Sequence, residues 1–310
     1  MAANFWVKLK RPILALAPLA GVTDSSLRRL AKKYGAAVVY SEMASATALV
    51  YNPKATLELL QFDKSEQPYV VQLFGAEPKH FALAARLIEK KIKPDGLDIN
   101  FGCPVRKVIK QGAGAALMAD LKKSRAVIEA VLANTKLPLS IKVRTQSGKV
   151  KLKDFLQNIS DLPLAALMIH GRTLKQGFAG TIDSAAIKAA RQYFSGVILA
   201  NGGINNYQDA KSVLAATGAD GIAVGRGVLG HPWIFKELKN PKFKISQKEI
   251  SALAWKHAQL MFKLKGEAGI LEMRKHLCWY ASGWAGARQQ REKMVQVKTL
   301  ADIKKVLALK

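Results

Sequence analysis

Cys103 lies in the run Asn100-Phe101-Gly102-Cys103-Pro104. Gly102 and Pro104 bracket it in a tight loop, where a thiol meets whatever the neighbouring fold binds and can act as nucleophile or acid. A small buried apolar role is the commoner fate of cysteine. Cys278, in a helical stretch with no glycine loop beside it, fits that plainer role. Lys142 and His170 stand at the ends of otherwise apolar runs. A charge there is costly unless it faces a partner, and Lys142 suits an electron-rich ring. His170 taken alone reads as a structural histidine. Asn201-Gly202-Gly203-Ile204-Asn205 and Gly225-Arg226-Gly227 are glycine-rich. Glycine lets backbone N–H groups approach an anion closely; two simple turns are the alternative.

These residues share one position in a repeating pattern. Short β-rich apolar runs occupy residues 13–17, 37–40, 69–74, 96–100, 139–143, 165–170, 197–200 and 221–224. Between them lie segments of helical period at 24–33, 77–91, 124–134, 184–193 and 206–216. Phe81, Ala84, Ala85 and Ile88 recur as one helix face requires. Near-continuous apolar runs suit parallel strands covered on both faces. Eight such units predict an α/β fold, a closed (β/α)8 TIM barrel, with a doubly wound open sheet as the alternative. No GxGxxG turn follows the first run, which weakens the open-sheet reading. In a barrel, chemistry collects at the carboxyl ends of strands. Here those ends carry Pro18, Glu42, Gln72, Asn100 with Cys103, Lys142 with Arg144, His170 with Arg172, and the two glycine segments. The loops after strands seven and eight form the usual phosphate site of such barrels, so a phosphorylated substrate or flavin mononucleotide (FMN) is implied.

The pattern changes after Asn240-Pro241. Ser246 and Glu249 make a capping box, and the rest has no strand signal and no proline. The division predicted is a catalytic barrel over 1–239 and a small all-helical C-terminal domain over 240–310. The chain of 310 residues carries 49 Lys+Arg against 22 Asp+Glu, a net charge of +27. The appendix holds +10 of this in 71 residues, about twice the density of the barrel. With 49% apolar residues the chain folds rather than remaining a disordered basic tail. Its surface calls for a polyanion. Two cysteines 175 residues apart give neither a disulfide framework nor a zinc pattern, and no metal is expected. No apolar run approaches a membrane span. Lys8, Lys10 and Arg11 before the apolar run 13–22 faintly resemble an export signal, but Pro18 and the helix start at Thr23-Asp24 favour a first buried strand. A cytoplasmic monomer is expected.

Taken together, the motifs resemble the tRNA-dihydrouridine synthases, most closely the bacterial B-type branch. The resemblance rests on Asp98-Ile99-Asn100-Phe101-Gly102-Cys103-Pro104 with Lys107, Gly112, Gly114 and Ala115. It extends over Ala17 to Asp24, Ser41-Glu42-Met43, Val71-Gln72-Leu73 and Ile141 to Thr145. It continues through Ile169 to Thr173, Ala200 to Ile204, Gly225-Arg226 and His231 to Phe235. Arg274-Lys275-His276 with Trp279-Tyr280 carries the likeness to the B-type branch. It implies an FMN-dependent barrel that uses NADPH (or NADH) to reduce the C5–C6 bond of a specific tRNA uridine, with a helical domain that helps hold tRNA. Pro18, Leu19, Ala20, Gln72, Lys142, His170, Asn201, Gly202, Gly203, Gly225 and Arg226 would bind FMN. Cys103 would give a proton to C5 while the flavin delivers hydride to C6. Asn100 and Arg144 would hold the uracil, with Arg106 and Lys107 near the RNA backbone.

A neutral thiol suits the acid role, because its reference pKa of about 8.5 keeps it mostly protonated. The base must leave the RNA stack to reach a barrel mouth, and phosphate contacts offset that cost. This sequence departs from the family pattern at Leu19, Phe101 and Gly203, where Met, Met or Tyr, and Asp are frequent. Two competing readings are an FMN barrel acting on a small molecule such as dihydroorotate, and a non-catalytic RNA-binding barrel. The first leaves the basic appendix unexplained, and the second leaves Cys103, Lys142 and the glycine loops unexplained.

Overall fold

The computed structural model describes residues 4–309. Eight strands form its centre: β1 (Ile13–Leu16), β2 (Val38–Tyr40), β3 (Tyr69–Phe74), β4 (Gly96–Asn100), β5 (Leu139–Arg144), β6 (Ala166–His170), β7 (Val197–Asn201) and β8 (Gly221–Val224). Each pairs in parallel with its sequence neighbours, and β8 pairs with β1 from Ile13↔Gly221 to Leu16↔Val224. The sheet is a closed barrel, which excludes the open doubly wound alternative. Every predicted run becomes one strand, with ends that move by a single residue at most. The extra residues, Arg144 on β5 and Asn201 on β7, place two candidate site residues inside the ladder.

Side chains alternate between the two faces of a strand. The outer face packs against the helices in one apolar cluster. The inner face makes a second cluster from Ile13 and Ala15, Val38 and Tyr40, Val70, Met168, Leu199 and Ala223. Trp6, 1% exposed, closes the amino end of the barrel, stacked on Phe5 at 4.8 Å. Continuing the same alternation toward the carboxyl end brings Gln72, Asp98, Asn100, Lys142, His170 and Asn201 inward.

The outer helices begin where the sequence supplies caps. Asp24 accepts from Leu27 N at the helix Ser25–Lys33. Helix Pro78–Lys91 buries Phe81, Ala84, Ala85 and Ile88, the predicted face. Several short elements were not anticipated, among them the strand Ala44–Ser45 beside β3 and the helices Ala115–Met118 and Leu152–Asn158. Helices Ala46–Tyr51 and Pro53–Leu59 follow β2, too short to show a periodic pattern in sequence. Gln146–Ser147 and Val150–Lys151 form a small antiparallel hairpin after β5.

The tail is helical, with Gln247–Tyr280 broken by Gly266 at φ 59°, then Ala287–Met294 and Leu300–Val306. The capping box forms, with Ser246 N donating to Glu249 at 2.8 Å. The tail's apolar cluster of Leu253, Met261, Ile270, Met273 and Leu277 also takes in Leu30 and Trp233, so the appendix is fastened to the barrel by shared core. Among the described residues no helix is long and apolar enough to cross a membrane.

Candidate active site

A cavity of about 460 Å³ opens at the carboxyl ends of the strands. All of Pro18, Leu19, Ala20, Gln72, Asn100, Cys103, Lys142, Arg144, His170, Asn201, Gly202, Gly203, Gly225 and Arg226 line it. Arg106 and Lys107 do not. They are exposed at the start of the short helix Arg106–Ile109, one step beyond the lining residue Val105.

The first loop is held by its neighbours. Thr23 Oγ1 accepts from Leu19 N at 3.0 Å and donates to Leu19 O at 3.1 Å. The Glu42 carboxylate accepts from Gly21 N, so Glu42 braces this loop and lies outside the cavity lining.

Polar groups of β3, β4 and β5 form a chain under the mouth. Ser140 Oγ donates to Asp98 Oδ1 at 2.6 Å, and Gln72 Nε2 donates to Asp98 Oδ2 at 2.7 Å. Asn100 Nδ2 donates to Gln72 Oε1 at 2.8 Å. Asn100 Oδ1 accepts from Gly102 N at 3.0 Å and Cys103 N at 2.8 Å. Burial pushes the Asp98 carboxyl up to about 6, against the Ser140 and Gln72 hydrogen bonds. The Cys103 loop is also tied from outside. Cys103 O accepts from Ala115 N, and Gly114, at φ 60°, stands where a Cβ would sit 2.9 Å from Cys103. Only glycine fits there. Burial raises the Cys103 thiol above its ordinary value, which keeps it protonated at neutral pH.

Four cations face this space, from Lys142, Arg144, Arg172 and Arg226, and no carboxylate of the described residues lines it. The Lys142 ammonium has no hydrogen-bond or ion-pair partner among the described residues. Burial, then repulsion from Arg144, lowers it to about 8. Arg144, 1% exposed, donates only to carbonyls: Gly102 O at 2.7 Å, Thr173 O at 3.0 Å and Gly177 O at 3.1 Å. It thereby clamps the Cys103 loop to the loop after β6. Arg172 donates twice to Gly180 O, at 2.9 and 2.7 Å. Burial and these cations hold His170 neutral, far below its usual value.

The glycine segments open toward the same space. Gly202 and Gly203 have φ of 115° and 71°. A Cβ on Gly202 would meet His170 at 3.0 Å, whereas beside Gly203 there is open space. The N–H groups of Gly202, Gly203, Gly225 and Arg226 donate to no acceptor among the described residues. Unpaired N–H groups beside uncompensated cations are what an anionic ligand requires.

Sequence reasoning did not assign Met43, Phe178 and Trp279 to the site, yet all three line the cavity. Phe178 sits in the loop after β6 under the Arg226 guanidinium, 4.4 Å from the ring centroid. A single aromatic between Gly177 and Gly180 was the available signal, but a loop has no period from which to place it. Trp279 comes from the tail helix, so the appendix reaches the mouth.

The fold and site define a (β/α)8 barrel whose mouth is built for an anionic ligand beside a protonated thiol. The family model described as dihydrouridine synthase matches residues 15–310. The chain is similar to a probable tRNA-dihydrouridine synthase 1 of Synechocystis, 33% identical over 300 residues, covering 94% of this chain and 84% of that protein. It is similar to tRNA-dihydrouridine synthase B of Shewanella oneidensis, 34% identical over 299 residues, covering 93% and 92%. Among solved structures, an old yellow enzyme homologue from Zymomonas mobilis shares the fold, with a TM-score of 0.54 at 15% identity over 76% of this chain and 90% of that one. Morphinone reductase does so at 0.52 and 13%, over 76% and 87%. The chain belongs to the dihydrouridine synthase family.

Proposed function

We infer that the protein reduces the C5–C6 double bond of uridine in tRNA to 5,6-dihydrouridine, as an FMN-dependent oxidoreductase fed by NADPH or NADH. The observation that carries this reading is the joining of Cys103, Lys142 and the open N–H cradle in one cavity where, among the described residues, no carboxylate meets them. The residues fit FMN. Gly202, Gly203, Gly225 and Arg226 would hold its phosphate, and Pro18, Leu19, Ala20, Gln72, His170 and Asn201 would surround the rest. Lys142 would sit against the negative edge of the ring system. Bound and reduced, FMN supplies hydride to C6.

The chain's own residues supply the rest. Cys103, kept neutral by burial, donates the proton that C5 requires and is left as thiolate, which regains a proton from solvent. Asn100 and Arg144 shape the uracil position through the loop they tether, with Asn100 holding Cys103 N and Arg144 holding Gly102 O. Residues 1–239 serve as the catalytic barrel and 240–310 as a basic helical grip on tRNA, with Arg106 and Lys107 on the exposed path toward the mouth. A cytoplasmic monomer is the state this reading assigns. The small-molecule alternative is disfavoured by Trp279, because the basic tail itself forms part of the mouth.

Purified protein should be yellow. Incubated with unmodified tRNA and NADPH, it should yield dihydrouridine by mass spectrometry. Cys103→Ala should lose product by about 10²- to 10⁴-fold with flavin still bound. A colourless protein that FMN cannot reconstitute would overturn the reading, and full activity of Cys103→Ala would remove Cys103 from the acid role.

A further inference from the structure

Asp98 does not line the cavity, is 0% exposed and has no part in the chemistry described above. We propose that Asp98 is a positioning residue whose carboxylate, acting through Gln72 and Asn100, holds the Cys103 loop in its reactive pose. The case follows from which groups donate and which accept. An ionised carboxylate only accepts, so Gln72 must turn its Nε2 toward Asp98. That presents Gln72 Oε1 to Asn100, which must answer with Nδ2. Asn100 Oδ1 is then left for the N–H groups of Gly102 and Cys103, which only donate. The chain thus ends in an acceptor-only group in the barrel and donor-only groups in the loop, and neither amide can flip without setting like against like. Ser140 completes the Asp98 shell. The register of the ladder makes the arrangement possible, because Asp98 lies beside both Gln72 and Ser140 on neighbouring strands.

The inference rests on the proposed function only for what the Cys103 pose is for, so its test reads the pose itself. The rate of Cys103 alkylation by iodoacetamide is measured by peptide mass spectrometry in purified protein at matched flavin content, with Cys278 as internal reference. Asp98→Leu leaves Gln72 Nε2 without its acceptor and should speed Cys103 alkylation about tenfold or more, the scale of a lost charged hydrogen bond. Asp98→Asn should stay within about threefold, since the new amide oxygen can still accept from Gln72 while Ser140 turns its hydrogen to Leu97 O, 3.2 Å away. Should Asp98→Leu not fold, the second arm sets a break at Gln72 against a polarity swap. Gln72→Leu breaks the chain one link further on, leaves Asn100 Nδ2 without Gln72 Oε1, and should behave as Asp98→Leu does. Gln72→Glu with Asp98→Asn restores a complete chain. The amide introduced on β4 donates to the carboxylate introduced on β3, whose other oxygen accepts from Asn100. That double variant should fold and return to the wild-type alkylation rate. Unchanged alkylation in a folded Asp98→Leu or Gln72→Leu, or a double variant no better than Gln72→Leu, overturns the proposal. Loss of flavin or of dihydrouridine formation in wild type would sink the proposed function while leaving this cycle to be read unchanged.

Discussion

Two regions of the molecule bury charge, and they treat it in opposite ways. Under the tail, around the first barrel helix, the buried charges of Arg28, Glu66 and Asp24 are answered by opposite charges from within the chain. Arg28, 0% exposed, pairs with Glu66 at 2.5 Å and donates to Thr23 O and Gln61 O. Lys265 bridges Asp24 at 2.9 Å and Glu272 at 2.7 Å. His257 meets Ser26 and Tyr280, each at 3.1 Å. At the mouth, Lys142 has no partner among the described residues, and Arg144 and Arg172 meet no carboxylate, only carbonyls and, for Arg172, the neutral His170 ring at 3.5 Å. Buried charge that serves the fold is paired, whereas charge left open marks where something else must bind. The sharpest test of this contrast is to break each region and see which property fails.

Arg28→Met should give the largest effect. It leaves the fully buried Glu66 carboxylate unpaired, which costs about 3–5 kcal/mol. Chemical denaturation should show that loss, while flavin bound per folded molecule stays constant. A loss under about 1 kcal/mol would mean that this junction does not depend on its pairing.

Acid should act on the same junction. Burial lowers His257 to about 4 from 6.5, so between those values the unfolded chain binds a proton that the folded one refuses. Stability present above pH 6.5 is therefore lost as pH falls toward 4, by up to about 3 kcal/mol. Asp24, lowered to about 2 from 3.8, extends the loss in the same direction below about pH 4. His257→Gln should be less stable at pH 7 but have a shallower slope between pH 6.5 and 4. An unchanged slope would assign the acid sensitivity to other groups.

The same contrast decides what the sequence can reveal. The barrel was legible because eight apolar runs end in polar or glycine-rich residues at one register, and a period-2 strand turns that register into a common face. Lys142 and His170 were conspicuous as polar residues in apolar runs. The junction was not legible: Arg28 and Glu66 are 38 residues apart and read as ordinary helix and loop charges until the fold buries both. Phe178 and Trp279 escaped for a related reason, since a loop and a distant helix converge on the mouth only in three dimensions. Arg106 and Lys107 show the converse, because adjacency to Cys103 in sequence put them beside the cavity and not in it.

At the mouth, pH should change binding rather than stability. Lys142 sits at about 8 without an anion, and a bound anion favours its charged form. Flavin affinity should therefore fall as pH rises above about 8, by about tenfold at pH 9. Fluorescence titration of FMN measures this, and Lys142→Met should bind more weakly at pH 7 with a flatter profile between about 7 and 9. A wild-type profile as flat as the variant's would mean that Lys142 does not meet the negative charge of the ligand.

The smallest effect belongs to the exposed charges between the two regions. Arg106 and Lys107 are solvated and bind no carboxylate among the described residues, so they carry none of the fold's pairing. If RNA passes over them, each neutralises one phosphate and releases its counterions. Replacing both with alanine should weaken tRNA binding a few-fold at moderate salt and reduce the slope of log affinity against log salt by about 2. Flavin content and melting temperature should not change, because neither residue lines the cavity or pairs within the fold. An unaltered slope would place the RNA path elsewhere, most simply across the tail, where Lys275 lies next to Gly21 of the first loop and Trp279 already forms part of the mouth.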